Sequence, residues 1–230
     1  MSPVEIAWCP VKSGGDPGRT HAAARARIDG LLRALMSDLW PGVERQSWVI
    51  VRDRDRRPWV AAPVPVADIS IAHDDGVAIV AVAREGHVGL DVERVPTMIP
   101  PLHEVSPAFG AIEWGALARM DPRRRAAAFA TAWTVKEAAA KLDGRGLAAD
   151  FRRIIAAPFV STTAATDVRG YRWTPLRGHR AAIVIEGGLS APRIRRGHGD
   201  PPQFFTTPGE PVRRFALASG WREGGETWNR

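Results

Sequence analysis

The chain lacks long hydrophobic runs, cysteine pairs and, for the most part, lysine. No stretch of about 18 consecutive apolar residues occurs, so no segment is predicted to span a membrane. The stretch "MSPVEIAWCP" has neither a basic region nor a long apolar region, so we expect no signal peptide. The single cysteine, Cys9, excludes an internal disulfide and favours the cytoplasm, where thiols stay reduced.

Arginine supplies nearly all of the positive charge. The 32 Lys and Arg residues exceed the 25 Asp and Glu residues by +7, and lysine occurs only at Lys12, Lys136 and Lys141. Because the guanidinium group binds phosphate and carboxylate well, the excess indicates a polyanionic partner: a nucleic acid, a phosphorylated ligand or an acidic protein. A GC-rich genome would give the same excess without any function. The basic residues are dispersed and no aromatics lie between them, which argues against nucleic-acid binding.

The hydrophobic pattern predicts an α+β fold with antiparallel sheets. A long helix is predicted over His21–Trp40, and "VAIVAVA" is predicted to be a central strand. Asp121 and Pro122 are predicted to cap and open a second long helix. The other predicted strands are Val4–Val11, two within 46–63, "DISIA", "VGLDVERV", "FRRIIAA", "YRWTPL" and "RAAIVIEG".

The element order repeats in outline, β-α-β-β-β-β and then β-α-α-β-β-β, which predicts two similar halves. The boundary is expected near residues 85–87, giving an N-terminal half at 1–87 and a C-terminal half at 88–190. Residues 191–230 are rich in Gly, Pro and Arg. They are predicted to form a loosely structured extension with one last strand at "VRRFALAS".

Two carboxylates in "VGLDVERV" predict a cation site. Asp91 and Glu93 are two residues apart on a strand, so both project from the same face. Like charges side by side are stable in water or around a hard cation such as Mg²⁺. Pairing of Glu93 with Arg94 or another arginine on a solvent-facing edge is the plain alternative. The apolar neighbours Val88, Leu90, Val92 and Val95 favour a half-buried strand and thus the cation.

The stretch "FATAWTVKEAAAKLDGRGL" predicts a helix with an unusual stripe. Trp133, Glu137 and Lys141 follow at steps of four and share one face, and a glycine-rich turn ends the helix. With Asp91 and Glu93, these residues form a set suited to phosphoryl transfer, because carboxylates hold Mg²⁺ and an ammonium group meets a phosphate oxygen. His73, at a strand end before a turn, can donate to a phosphate, although such a histidine is more often structural.

With these two motifs the chain resembles the 4′-phosphopantetheinyl transferases of the surfactin-synthetase-activating type. The family pattern is G-x-D-x-E followed by W-x-x-K-E-x-x-x-K-x-x-G-x-G-L. Its positions are matched here by Gly89, Asp91, Glu93, Trp133, Lys136, Glu137, Lys141, Gly144, Gly146 and Leu147. The upstream stretches "RARIDGLLRALM", "RRPWVAAP" and "ISIAHDDG" are also similar to family segments, so the resemblance covers about Arg25 to Leu147.

The resemblance implies a monomer whose two α+β halves are related by pseudo-twofold symmetry, with a ligand cleft between them. It implies transfer of the phosphopantetheine arm of coenzyme A to a serine of an acyl or peptidyl carrier protein, with release of 3′,5′-ADP. The carriers would serve polyketide, nonribosomal peptide or fatty acid synthesis. They are acidic, so a basic surface would steer their encounter.

The resemblance also assigns roles to individual residues. Mg²⁺, or Mn²⁺ with the same oxygen ligands, would be held by Asp91, Glu93 and Glu137. Glu137 would also be the base for the carrier serine, and Lys141 would neutralise charge on the pyrophosphate. The residues implied in coenzyme A binding are His73 at the 3′-phosphate, Arg25 or Arg27 beside it, and Lys136.

Some positions depart from the family pattern. Ala72 stands where the family has a serine expected to meet a coenzyme A phosphate, and Leu31 stands where it has an arginine. Asp74 and Asp75 add negative charge beside an anionic ligand, which should weaken binding unless they point away. These departures also fit a repurposed relative. It would bind coenzyme A or a carrier without transferring the arm, or would run another reaction in the cleft.

Overall fold

The structure, a computed structural model, describes residues 4–11, 17–52, 57–64, 66, 68–105, 107–144, 149–154, 168–186, 191–198, 203–206 and 213–215. The strands in these ranges are β1 (Val4–Pro10), β2 (Val49–Arg52), β3 (Pro58–Ala62), β4 (Asp68–Asp74), β5 (Val77–Ala83), β6 (Val88–Arg94), β7 (Val168–Trp173), β8 (His179–Glu186), β9 (Arg193–His198), β10 (Gln203–Thr206) and β11 (Arg213–Phe215). The helices are α1 (Pro17–Leu39), α2 (Leu102–Val105), α3 (Ala111–Ala118) and α4 (Pro122–Asp143), with 3₁₀ turns at Arg45–Ser47 and Phe151–Arg153.

The strands form two larger sheets and one small pair. The first sheet has the order β10-β9-β1-β5-β4, the second has the order β11-β7-β8-β6, and β2 pairs with β3. Neighbouring strands are antiparallel except β1 and β9. The α+β class is therefore confirmed. The pseudo-twofold relation and the division at residues 85–87 stay predictions.

The core is arranged in four layers: α1, the first sheet, the second sheet and α4. One cluster packs α1 residues such as Leu32 against Val80 and Val82 of β5. A second fills the space between the sheets, where Ile79 meets Ile183. A third packs α4 and α3 against the outer face of the second sheet. Successive side chains of a strand point to opposite faces of its sheet. Each of the two sheets therefore packs against a helix on one face and against the other sheet on the opposite face.

Strand β5 explains the nearly continuous apolar run at 77–83. All seven of its residues are buried, because β1 and β4 flank it in the sheet while α1 and the second sheet cover its two faces. A strand covered on both faces has no solvent side on which to place polar residues. Its predicted central position is confirmed.

Helix α4 begins and ends as predicted. The Asp121 carboxylate accepts a hydrogen bond from the Arg124 amide at 3.1 Å, and Pro122 occupies the first turn. Gly144 ends the helix with φ of 79°, a left-handed conformation that favours glycine. Gly146 and Leu147 lie outside the described residues. Within the described ranges, no helix has the length and apolarity needed to cross a membrane.

The strand predicted at "FRRIIAA" is wrong for its first three residues. Phe151–Arg153 form a 3₁₀ turn, which the Asp150 side chain caps by accepting from the Arg152 amide at 3.2 Å. An aspartate whose carboxylate accepts from the amide two residues further on favours such a turn over an extended chain. Residues 155–157 lie outside the described ranges.

The prediction of a loosely structured extension is wrong for residues 193–198 and 203–206. Strand β9 runs parallel to β1, and β10 continues the sheet. The Arg195 guanidinium donates to the nearly inaccessible Glu5 carboxylate at 2.9 Å and also contacts Asp38. The sequence composition did not predict these strands. They form because the edge of β1 can pair with a strand and because Glu5 and Asp38 neutralise the charge of Arg195 there. The last predicted strand is confirmed at Arg213–Phe215.

Candidate active site

Close contact between β6 and α4 creates the site. A Cβ atom on Gly89 would lie 1.8 Å from the Ala138 carbonyl oxygen and 2.4 Å from the Leu142 amide nitrogen. Only glycine lets the helix backbone approach the strand this closely. The glycine of the G-x-D-x-E pattern thus brings the α4 face that carries Glu137 and Lys141 against β6.

Lys141 and Asp91 make the direct contact across this junction. The Lys141 ammonium donates to Asp91 Oδ1 at 2.7 Å. The Asp91 side chain is buried, and its other oxygen, Oδ2, has no hydrogen-bond partner among the described residues. A buried carboxylate oxygen without a donor is costly, so this atom is suited to accept a further cation or proton.

Negative charge accumulates around this ion pair. Burial, followed by repulsion from Asp91, Asp74 and Glu137, raises the pKa of Glu93 to about 8. Burial and repulsion from Asp91 raise the pKa of Glu137. Burial also raises the pKa of Asp91, although Lys141 opposes the shift. The four carboxylates of Asp74, Asp91, Glu93 and Glu137 will be called the acidic cluster.

The acidic cluster contains the three predicted metal ligands, whose charges repel one another, and adds Asp74. Oxygen donors with excess negative charge and the orphaned Asp91 Oδ2 fit a hard divalent cation in their chemistry. In the described part of the chain, however, no three Asp, Glu, His or Cys side chains converge into a formed metal site. Sequence reasoning considered Asp74 only as a charge beside an anionic ligand. Its position at the end of β4, next to His73, is the feature from which its place in the acidic cluster could have been predicted.

A pH-dependent stability is expected from Glu93. Because its folded-state pKa lies near 8 rather than 4.5, the folded protein binds this proton more tightly than the unfolded chain, and stability falls as pH rises between these values. Without divalent ions, Glu93→Gln should therefore be more stable than the parent at pH 9 by about 2 kcal/mol, allowing for partial solvent screening. The difference should shrink at pH 6.

Urea unfolding at pH 6 and pH 9 in the presence of a chelator checks this expectation. Glu104→Gln is the matched control, because it makes the same acid-to-amide change at a side chain that is 56% exposed. Equal stability of the Glu93→Gln variant and the parent at pH 9 would contradict the assignment.

A cavity of about 610 Å³ lies next to the acidic cluster. It is lined by α1, the β2–β3 pair, β4 and the end of α4, and three predicted site residues, Arg25, His73 and Lys141, line it together. Arg52 and Arg57 also line it, although Arg57 donates to Asp68 at 2.6 Å, and among the described lining residues Asp29 is the only acid. The cavity therefore suits a polyanionic ligand. Sequence reasoning noted "RRPWVAAP" but did not assign these two arginines.

Arg27 and Lys136, which were also predicted to bind coenzyme A, are not among the described residues that line the cavity. The Arg27 side chain hydrogen bonds with the Cys9 thiol, whose pKa is raised chiefly by burial. Lys136 is 1% exposed and donates to Glu113 at 2.8 Å, to the Phe151 carbonyl at 2.8 Å and to the Ile154 carbonyl at 2.6 Å. All three ammonium donors are used inside the protein, so the predicted contact of Lys136 with coenzyme A is replaced by a structural role.

Trp133 packs as core, as predicted. Its ring stacks on Phe109 at 6.2 Å, on Phe129 at 6.4 Å and on Phe151 at 5.9 Å between centroids. The helix face it shares with Glu137 and Lys141 therefore runs from an aromatic cluster to the acidic cluster. The aromatic end anchors the helix, while the charged end remains open to a ligand.

The departures from the family pattern also have definite positions. Ala72 is 3% exposed and is absent from the described lining of the cavity. Asp75 pairs with the Arg94 guanidinium at 2.8 Å, and Asp74 accepts from the Arg94 amide. The two aspartates therefore contact β6 rather than the cavity wall.

Comparisons with known proteins agree with this site. Residues 87–183, which contain β6, α4 and most of β8, match the sequence profile of the 4′-phosphopantetheinyl transferase superfamily. The chain is 33% identical over 152 residues to the L-aminoadipate-semialdehyde dehydrogenase-phosphopantetheinyl transferase of Eremothecium gossypii, an alignment that covers 59% of this chain and 54% of that protein.

A second relative comes from Synechocystis sp. and provisionally carries the name 4′-phosphopantetheinyl transferase. It is 28% identical over 107 residues, which cover 45% of this chain and 39% of that protein. The chain thus spans about half the length of these relatives or less. The matches support the superfamily for the segment that holds the acidic cluster; they do not distinguish the surfactin-synthetase-activating type.

Proposed function

We propose that this chain transfers the 4′-phosphopantetheine arm of coenzyme A to a serine of an apo acyl or peptidyl carrier protein and releases 3′,5′-ADP. The observation that carries the proposal is the position of Lys141. Its ammonium lines the cation-rich cavity and also contacts Asp91 of the acidic cluster. A polyanion in the cavity would therefore have its phosphates beside a set of carboxylates, the arrangement that phosphoryl transfer requires.

Coenzyme A would occupy the cavity through its phosphates. Arg25 and His73 are the proposed partners of the 3′-phosphate, and Arg52 and Arg57 line the same space. The volume of about 610 Å³ is within the usual range for a small-molecule site. We favour Arg25 over Arg27 for this contact, because Arg27 is engaged with Cys9.

Asp91, Glu93 and Glu137 are the proposed holders of Mg²⁺, for which Mn²⁺ could substitute. When bound, the ion would neutralise the pyrophosphate and polarise its oxygens. Burial first, and repulsion between the carboxylates second, raise the pKa values of these groups, which is consistent with a site that a cation would neutralise.

Glu137 is the proposed general base. Burial raises its pKa, so it accepts a proton more readily than an ordinary glutamate. It would take the proton of the carrier serine hydroxyl as that oxygen attacks the β-phosphorus of coenzyme A. A new P–O bond to the serine forms, the pyrophosphate P–O bond breaks, and 3′,5′-ADP leaves with the bond electrons. Lys141 would neutralise the charge that develops on the phosphate oxygens.

The proposed partner is an acidic carrier protein of polyketide, nonribosomal peptide or fatty acid synthesis. The net charge of +7 would steer such a partner by long-range attraction. We propose that the chain acts as a monomer and in the cytoplasm, where Cys9, buried and without a disulfide, would stay reduced.

Intact mass spectrometry of an apo carrier tests the proposal. With Mg²⁺ and coenzyme A, the parent should add one phosphopantetheine per carrier, and Glu137→Gln should slow the transfer by a factor of about 10²–10³, since the amide cannot accept the proton. Glu104→Gln, an exposed acid-to-amide change, should leave the rate unaltered.

The repurposed relative is the alternative, favoured by Ala72 and by the extra charge of Asp74 in the acidic cluster. It predicts coenzyme A binding in calorimetry without a mass gain across acyl and peptidyl carriers. A mass gain with the parent would exclude it.

A further inference from the structure

Strands β4 and β6 are the edge strands at which the two sheets meet. β6 pairs with β8 on one side, and alternate amides on its other edge, at residues 88, 90, 92 and 94, face β4. An unpaired strand edge buried in a protein needs acceptors for these amides. The acceptors here come from side chains of β4.

The contacts form a regular ladder with a constant offset of twenty residues. The Val88 amide donates to Asp68 Oδ2 at 3.0 Å, and the Leu90 amide donates to Ser70 Oγ at 2.9 Å. The Arg94 amide donates to an Asp74 carboxylate oxygen. Asp68 and Ser70 are buried, at 6% and 5% exposure, so water does not replace these contacts. The side chains at positions 68, 70 and 74 of β4 therefore supply acceptors that a neighbouring strand would otherwise supply.

The ladder lacks one acceptor. The same offset pairs Ala72 with Val92, and a methyl group offers no oxygen to an amide. Each such contact between β6 and β4 is called a rung. The missing rung is next to His73 on β4, and on β6 it falls between Asp91 and Glu93. The rungs on either side of it, at Ser70 and Asp74, therefore fix the local position of β6.

We propose that Ser70 is a positioning residue: through the Leu90 amide, which uses its hydroxyl at 2.9 Å, it sets the distance between the coenzyme cavity, which Ser70 and His73 both line, and the acidic cluster, which includes Asp91. This inference rests on the proposed transferase function. Asp91 directly follows Leu90, so a shift of this rung moves the carboxylate while the cavity residues on α1 and β2–β3 stay in place. Phosphoryl transfer depends steeply on such alignment.

Ser70→Ala tests the proposal by two measurements. The Leu90 amide should lose its acceptor, and its hydrogen exchange should accelerate about tenfold. The kcat for carrier modification should fall about tenfold or more, whereas KM for coenzyme A should change by less than about threefold, because misplacement of reacting groups affects the transition state more than binding. Ser70→Thr keeps the hydroxyl and should restore both values.

Ser37→Ala is the matched control. The Ser37 hydroxyl accepts a hydrogen bond from Trp48 Nε1 at 2.9 Å, so its removal also deletes one partly buried hydroxyl acceptor, but on α1. It should lower stability without changing kcat.

In the opposite direction, Ala72→Ser should supply the missing acceptor and slow the hydrogen exchange of the Val92 amide.

The proposal is overturned if Ser70→Ala lowers kcat no more than Ser37→Ala does, or if exchange at Leu90 is unaltered. A parent without any transfer activity would instead overturn the proposed function, and with it the part of Ser70 in that reaction. Exchange at Leu90 would still decide whether the ladder holds β6, so the two failures can be told apart.

Discussion

Gly89→Ala should destabilise the protein by more than about 4 kcal/mol, or prevent folding, because the new methyl group collides with backbone atoms. The Cβ would lie 1.8 Å from the Ala138 carbonyl oxygen. Neither the β6 backbone nor the α4 backbone can turn aside as a flexible side chain would, because β6 lies between two core clusters and α4 packs on one of them. The helix must therefore withdraw, and Glu137 and Lys141 would withdraw with it.

Urea unfolding measures this loss, with Gly30→Ala as the matched control. Gly30 lies in α1, and a Cβ there meets no atom within 4 Å, so alanine should be neutral or stabilising by about 1 kcal/mol through helix propensity. A Gly89→Ala protein within about 1 kcal/mol of the parent would show that α4 is free to move from the strand.

Lys136→Met should destabilise the protein by about 3–5 kcal/mol, because it leaves a buried carboxylate without its counter-charge. Glu113 is 1% exposed, and Lys136 and the Gly110 amide are its partners at 2.8 Å and 3.2 Å. The substitution also frees the carbonyls of Phe151 and Ile154, which the ammonium now binds. Methionine has a similar length, so the loss reports charge rather than volume.

The double substitution Lys136→Met with Glu113→Gln separates these contributions. A neutral amide can still accept from the Gly110 amide and no longer carries an unpaired charge, so we expect a recovery of about 2 kcal/mol in urea unfolding relative to Lys136→Met alone. No recovery would mean that the carbonyl contacts, not the ion pair, account for the loss. A Lys136→Met protein as stable as the parent would refute the structural role altogether.

Local periodicity accounts for what the sequence predicted well. Asp91 and Glu93 share a strand face, Glu137 and Lys141 share a helix face, and Asp121 and Gly144 bound that helix. Each of these features depends on residues within a few positions of one another, so the backbone geometry of a single element is sufficient to fix it. The apolar run of β5 likewise indicated burial on both faces.

Lys136 and Lys141 show which part of the site the sequence could not predict, namely which face of α4 meets the core. Both belong to one motif, but they project from different faces of α4, and only the packing of the helix determines which face meets the core. Lys136 therefore became the partner of Glu113, whereas Lys141 reached Asp91 across fifty residues of chain. The positions of Arg52 and Arg57 on the cavity wall depend in the same way on how the β2–β3 pair lies over β4.

The sequence by itself determined many of the elements, the caps of α4 and the chemistry of the motif, because those follow from short-range geometry and residue type. Only the tertiary structure decided that β9 joins β1 in parallel, that β4 side chains serve as acceptors for β6, and that Asp74 adds to the acidic cluster. These outcomes depend on which strand edges remain open after the rest of the chain has folded. That is a property of the whole molecule, and no local pattern encodes it.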